Sequence, residues 1–265
     1  MKSNESPIGV FDSGIGGLTV LKELMAAMPA EDYVYMGDTA HVPYGPKSPD
    51  VIKKLTRLNV NFLLEKGVKA IVIACNTASA VALPEIKADC PVPIIGVVEA
   101  GARAALETGK KHVAVIATRA TVNSGAYQEL LLKHDQDIEV GAKACPLFVP
   151  LVEEGRVEGP IVDMIVAEYL AEFVETADVM ILGCTHYPML KKSMQKFLPK
   201  VTLVDSAEVT ARFTKQMLAE KGLLRVGPAH KAVRAFVTDS TPSFDAMSGM
   251  FLGMTLVSRQ VSIGV

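Results

Sequence analysis

The chain has 265 residues, 49% hydrophobic and 21% charged, enough to bury the core of one large or two medium globular domains. A net charge of −2 with no Lys/Arg cluster argues against a nucleic-acid partner. No signal-peptide core follows Met1–Pro7 and no membrane-length apolar run occurs, so a soluble, cytoplasmic protein with no membrane contact is expected.

Short Val/Ile-rich runs alternate with helical patterns, the signature of a parallel sheet covered on both faces. Ile8–Phe11 reads as the first strand. A glycine-rich turn, Asp12-Ser13-Gly14-Ile15-Gly16-Gly17, leads into a helix with Leu18, Leu21, Met25 and Met28 at helical spacing. A strand over 33–36 precedes the Pro/Gly-rich loop 41–46 and a helix carrying Ile52, Leu55, Leu58 and Phe62. The next strand, from Ala70, ends at Cys75, and another covers 93–97. The order then restarts with a strand over 112–116, a helix around Tyr127, Leu130 and Leu131, and a long helix around Ile165, Tyr169 and Phe173. A strand from Val179 ends at Cys184, and one follows over 201–204. Beyond about residue 207 come a helix with Val209, Phe213 and Met217, a strand over 235–237, and a Gly/Met-rich end expected to return to the first unit.

The two passes keep a nearly constant offset: Ser13 and Thr118 lie 105 positions apart, while Cys75 and Cys184, like Val92 and Val201, lie 109 apart. Duplication of one α/β unit explains this economically. The expected fold is two similar doubly wound, mainly parallel-sheet domains related by a pseudo-two-fold axis, with the active site in the cleft between them. Residues 1–97 plus 208–265 form the first domain and residues 98–207 the second. Ligands of such sheets bind outside the carboxyl ends of the strands, where Cys75 and Cys184 would meet.

The strand ends carry the chemistry. Glycines after Asp12 let the backbone approach a ligand, and the helix that follows favours an anion such as a carboxylate. A dinucleotide loop with Asp38 on a ribose is the rival reading, but Gly14-x-Gly16-x-x-Thr19 lacks the final small residue of that fingerprint. Cys75 could act as a base only if its proton is managed. A helix amino terminus with Asn76, Thr77 and Ser79 offers donors, and Asp12 could hold the proton. Cys184 has His186 two residues away, and Glu153 could orient that imidazole. Cys90 and Cys145 read as buried, inert thiols, and with no C-x-x-C spacing all four cysteines are expected to be reduced. A zinc site at Cys75, Cys184 and His186 with a carboxylate is disfavoured by the lack of close ligand pairs other than Cys184-x-His186, so no metal is expected. A single Cys-His nucleophile would leave the second thiol without a role.

Five segments together resemble glutamate racemase: Asp-Ser-Gly-Ile-Gly-Gly at 12–17, Val-Pro-Tyr-Gly at 42–45, Ala-Cys-Asn-Thr-Ala-Ser at 74–79, Pro-Leu-Val-Glu at 150–153 and Gly-Cys-Thr-His-Tyr-Pro at 183–188. They run in order across roughly residues 7–220. The resemblance implies a cofactor-independent isomerase that interconverts L- and D-glutamate and supplies the D-isomer for peptidoglycan, hence for cell-wall biogenesis and cell shape. It implies two cysteines on opposite faces of the α-carbon, Cys75 deprotonating D-glutamate and Cys184 L-glutamate. Asp12 would assist Cys75, and His186 with Glu153 would assist Cys184. Ser13, Pro43, Tyr44, Gly45, Asn76, Thr77, Thr118, Thr121 and Thr185, with Asp12 and His186, would surround the substrate. A homodimer is expected from the same resemblance, while the sequence assigns no regulatory partner or peptidoglycan-precursor activator. Aspartate racemases share the architecture, but their second cysteine is typically followed by Thr-Glu, whereas Thr185-His186 follows here. Departures from the pattern gather in the carboxyl-terminal segment, at 239–242 and 262–265.

Overall fold

The computed structural model describes residues 3–230, 232–239 and 242–264. Of the carboxyl-terminal departures, Ser240, Thr241 and Val265 lie outside the described residues. The described residues form two parallel sheets. In the first sheet are β1 (Ile8–Asp12), β2 (Tyr33–Gly37), β3 (Ala70–Ile73) and β4 (Ile94–Gly96). The second holds β5 (His112–Ala117), β6 (Glu139–Ala144), β7 (Val179–Gly183) and β8 (Thr202–Asp205). Near the carboxyl terminus, β9 (Val233–Val237) and β10 (Ser258–Gln260) complete the first sheet.

The strand orders are β10-β9-β2-β1-β3-β4 and β6-β5-β7-β8, with every pairing parallel. The run β2-β1-β3-β4 therefore repeats as β6-β5-β7-β8, as the constant offset in the sequence predicts. Central strands such as β3, Ala-Ile-Val-Ile, are buried along their whole length, which a sheet covered by helices on both faces requires. The chain turns outward in opposite directions from β1 and from β5. The crevices at the carboxyl ends of β1/β3 and β5/β7 are thus the switch points where such sheets bind ligands.

The chain crosses between the sheets twice, through helix Val97–Leu106 and helix Ser206–Glu220, which pack against each other. On the second of these, Val209, Phe213 and Met217 are only half-buried. The buried stripe is Ala207, Thr210, Ala211, Thr214 and Leu218 instead. Its threonines can be buried because each hydroxyl donates to a carbonyl one turn back, Thr210 to Ser206 and Thr214 to Thr210, both at 2.7 Å. Strand β6 was not foreseen from its sequence. It is a half-exposed edge strand, Glu-Val-Gly-Ala-Lys-Ala, without the apolar run that marks its neighbours.

Candidate active site

The first half of the site grows from β1 and β3. Asp12, the last residue of β1, is fully buried; its Oδ2 accepts the Gly14 N–H at 2.9 Å while Oδ1 has no hydrogen-bond partner among the described residues. Burial raises its carboxyl above the usual range, and the nearby His186 charge works against that rise. Beyond β3, Cys75 caps helix Asn76–Val81, its Sγ receiving the Ala78 N–H at 3.5 Å and donating to Ser13 Oγ at 3.4 Å. Helix-terminal donors were expected to ease ionisation here, but burial dominates. With the Asp12 charge adding to it, burial pushes the Cys75 thiol up to about 12, against the smaller pull of the Ser13 and Ala78 contacts. Ser79 does not join the site, because its hydroxyl receives the Val98 N–H at 3.3 Å.

The second half grows from β5 and β7. Cys184 follows β7, with its Sγ 3.9 Å from His186 Nδ1, and His186 Nε2 lies 3.1 Å from Glu153 Oε1. Burial opposes a charged imidazole, but the hydrogen bonds and charges of Cys184 and Glu153 outweigh it and raise His186 to about 10. The ring also meets Phe251 edge to face, centroids 5.7 Å apart, an aromatic from the carboxyl-terminal helix that no sequence motif marks.

Two glycines let the halves approach each other. A Cβ at Gly16 would fall 2.6 Å from His186 Nδ1, and one at Gly45 would fall 2.8 Å from Thr118 Cβ. Hydroxyls join across the same boundary: Thr77 Oγ1 lies 2.9 Å from Thr118 Oγ1 and 3.3 Å from Thr121 Oγ1.

One cavity of about 40 Å³ is lined by both Cys75 and Cys184, together with Ser13, Pro43, Tyr44, Gly45, Asn76, Thr77, Thr118, Glu153, Thr185 and His186. Of the site residues expected from the sequence, Asp12 and Thr121 stand behind this lining, Asp12 under the Ser13 loop and Thr121 behind Thr118. Val42 and Val149 line it without having been singled out. A neighbouring cavity of about 390 Å³ shares Pro43, Gly45, Val149 and Glu153 with it, whereas the cavities of about 590 and 620 Å³ lie away from both thiols.

Asp38 is not free to bind a ribose. Fully buried, it accepts hydrogen bonds from Tyr44 (2.5 Å), Thr238 (2.8 Å) and Asn59 (3.3 Å) and contacts His41 Nδ1 at 2.7 Å. That network anchors the 42–45 loop, whose Val42–Pro43 bond is cis, as one wall of the cavity. The dinucleotide reading is therefore corrected: the carboxylate after β2 supports a loop.

Sequence and fold comparisons agree with this geometry. Residues 8–214 match the family model described as Asp/Glu/Hydantoin racemase. The chain belongs to this racemase family, among its glutamate racemases. The glutamate racemase of Aquifex aeolicus is 46% identical over 247 residues, covering 93% of this chain and 94% of that protein. The structure of Francisella tularensis glutamate racemase in complex with D-glutamate superposes with a TM-score of 0.92, at 41% identity and 98% coverage of both chains. Thermus thermophilus glutamate racemase, in complex with β-chloro-D-alanine, gives a TM-score of 0.90 at 45% identity and 99% coverage of both.

Two outcomes follow from the charge state of the site. His186 has a folded value of about 10 against an ordinary 6.5, so its contribution to stability is complete below about pH 6.5 and lost as pH rises through about 10. Cys75, raised from 9.0 to about 12, acts in the same direction above pH 9. The melting temperature is therefore expected to fall between pH 7 and 10.5, with a shallower slope in His186→Asn; equal slopes would place the alkaline loss elsewhere. The second outcome concerns Asp12, whose ionised form burial disfavours. Asp12→Asn keeps an acceptor for Gly14 and is expected to raise the melting temperature, by about 2–4 °C per kcal/mol, while racemisation falls. A lower melting temperature would show the carboxylate to be stabilising.

Proposed function

We propose that the chain interconverts L- and D-glutamate by two-base proton transfer between Cys75 and Cys184. The observation that carries this reading is the presence of two thiols at equivalent strand ends, after β3 and after β7, in the wall of a single cavity. Inverting a stereocentre through a planar intermediate needs a base on one face and an acid on the other. In one direction, Cys184 as thiolate removes the α-proton of L-glutamate, leaving the electron pair delocalised into the α-carboxylate. The Cys75 thiol then donates its proton to the opposite face, giving D-glutamate and a Cys75 thiolate. The reverse direction begins at Cys75.

Each thiol has its own means of holding a proton. Asp12 lies near Cys75 in the buried first half, and its unpaired Oδ1 is suited to take part in that transfer. His186, steadied by Glu153, serves Cys184. No electron sink is needed if the growing carboxylate charge meets preorganised donors, for which Ser13, Asn76, Thr77, Thr118 and Thr185 are placed, with Pro43, Tyr44 and Gly45 as a wall and Thr121 supporting the threonine hydroxyls. A cavity of about 40 Å³ has room for a few water molecules, less than a bound glutamate needs. Glutamate must therefore be admitted by separation of the halves and reacts once they close, in a site dry enough to strengthen each contact.

In the cell, the reaction supplies D-glutamate for peptidoglycan from the cytoplasm, in a homodimer, each subunit of which has two domains, residues 1–97 plus 208–265 and residues 98–207. Incubation with L-glutamate alone is expected to bring optical rotation to zero with α-deuterium incorporation in D₂O. Exchange with aspartate but not glutamate would reassign the substrate.

A further inference from the structure

We infer that Tyr127 is a positioning residue that fixes the Asn76 side chain with its NH₂ group turned toward the substrate, so that Asn76 binds a substrate carboxylate oxygen as a donor. This rests on the racemase reading above and extends it to a residue outside the cavity lining. Tyr127 belongs to helix Ala126–His134 of the half that carries Cys184, whereas Asn76 follows Cys75 in the other half. The phenol is clamped in place by two glycines. A Cβ at Gly101 would lie 2.9 Å from its hydroxyl, and one at Gly183 would lie 3.2 Å from its ring.

From that position the hydroxyl reaches Asn76 Oδ1 at 2.7 Å. A carboxamide turned the other way would meet the same hydroxyl with its nitrogen, so the phenolic proton decides between the two. Burial, together with the charge of Cys184, raises the phenol well above its ordinary value, so it keeps this proton. Asn76 Oδ1 is the acceptor that the proton finds among the described residues, and reversing the amide would leave a buried donor unmet.

With the oxygen held by Tyr127, the nitrogen is the end left for the substrate. Asn76 is only 3% exposed and lines the cavity, and its Nδ2 has no hydrogen-bond partner among the described residues. A buried, unpaired donor facing a site for a dicarboxylate fits a carboxylate oxygen and does not fit an ammonium group. Because the bond crosses between the halves, the amide is aligned in the closed arrangement. The second half has no equivalent amide, since Thr185 follows Cys184 where Asn76 follows Cys75.

Tyr127→Phe keeps the ring and removes only the hydroxyl. It is expected to weaken glutamate binding by calorimetry, and to raise KM in both directions, by about 10- to 100-fold, the scale of a hydrogen bond to a charged group. In an Asn76→Ala background, where there is no amide to orient, the same change is expected to alter calorimetric affinity and the α-deuterium exchange rate by less than about 2-fold. Equal losses in both backgrounds, or no loss in the single variant, would overturn the proposal. A second measurement needs no Tyr127 variant: in ¹⁵N-labelled wild-type protein, the Asn76 NH₂ resonance, identified by its disappearance in Asn76→Ala, should shift when D-glutamate is added. An unmoved resonance would also overturn the proposal. Wild-type protein that exchanges no glutamate α-proton would instead defeat the racemase reading itself, so the two failures are distinguishable.

Discussion

Cys75→Ser and Cys184→Ser are each expected to lower racemisation by about 10⁴-fold, the upper end of what a general acid or base supplies. A serine hydroxyl fits either position but cannot ionise at a pH where the protein is folded, so one face of the α-carbon loses its base. The informative part is what survives. With a glutamate analogue bearing a leaving group on the β-carbon, removal of the α-proton expels that group and forms the Cα=Cβ double bond, so no reprotonation is needed. Cys75→Ser should then eliminate from the L-isomer only, through Cys184, and Cys184→Ser from the D-isomer only, through Cys75. Elimination from both isomers in either variant would show that one group serves both faces. The partners of the thiols make the two losses unequal in character: Cys184 contacts His186, itself bonded to Glu153, whereas Cys75 has Ser13 and the Ala78 amide under a buried Asp12.

A second large effect is expected far from the chemistry. Lys69 and Glu31 form an ion pair of 2.5 Å with both side chains fully buried. Lys69 Nζ also donates to the Asn4 carbonyl at 2.5 Å, and Glu31 Oε1 accepts the Arg225 N–H at 2.8 Å. Burial pulls the Lys69 ammonium below its ordinary value, and the Glu31 bond and charge hold it up. Glu31→Ala removes that support, leaving the buried ammonium with the Asn4 carbonyl but no counter-charge and the Arg225 N–H without its acceptor, for a cost of about 3–5 kcal/mol. At 2–4 °C per kcal/mol this amounts to a fall in melting temperature of about 10 °C. The double variant Glu31→Leu, Lys69→Met should recover most of it, since a buried pair replaced by apolar groups of similar volume is often neutral. Both residues sit where β2 and β3 begin, at the opposite end of the sheet from the thiols, so kcat well below the melting temperature should not change. A changed kcat with an unchanged melting temperature would contradict this division.

The legible parts of the sequence were those written in local pattern. Continuous apolar runs such as 70–73 and 179–182 mark buried parallel strands, and a cysteine two residues past the end of each run stands at a strand's carboxyl end. His186 could be paired with Cys184 because only one residue separates them. The 109-residue offset likewise anticipated the repeated strand order of the two sheets. Features set by long-range packing were not legible. Tyr127 reads as an ordinary apolar position of its helix, and only the folded chain brings its hydroxyl to Asn76. Phe251 reaches His186 from a segment that the first two-thirds of the sequence do not foreshadow. Helix Val97–Leu106 is not legible as a core helix because its buried face is mostly alanine and glycine, small enough for helices to cross closely, and not the Leu/Ile spacing that marks its neighbours. The Cys75 thiol is raised and not eased toward ionisation because a helix dipole is legible in sequence while the depth of burial that outweighs it is not.

The central claim is that one thiol removes the α-proton and a different one replaces it, and the isotope content of each enantiomer early in the reaction tests this most directly. L-Glutamate is incubated with the enzyme in D₂O, stopped after a few per cent conversion, and the enantiomers are separated for mass analysis. With Cys184 and Cys75 on opposite faces, the D-glutamate formed should carry deuterium at the α-carbon while the remaining L-glutamate keeps its protium. D-Glutamate retaining the original protium, or deuterium appearing equally in both enantiomers from the first turnovers, would point to a single base and contradict the two-thiol mechanism.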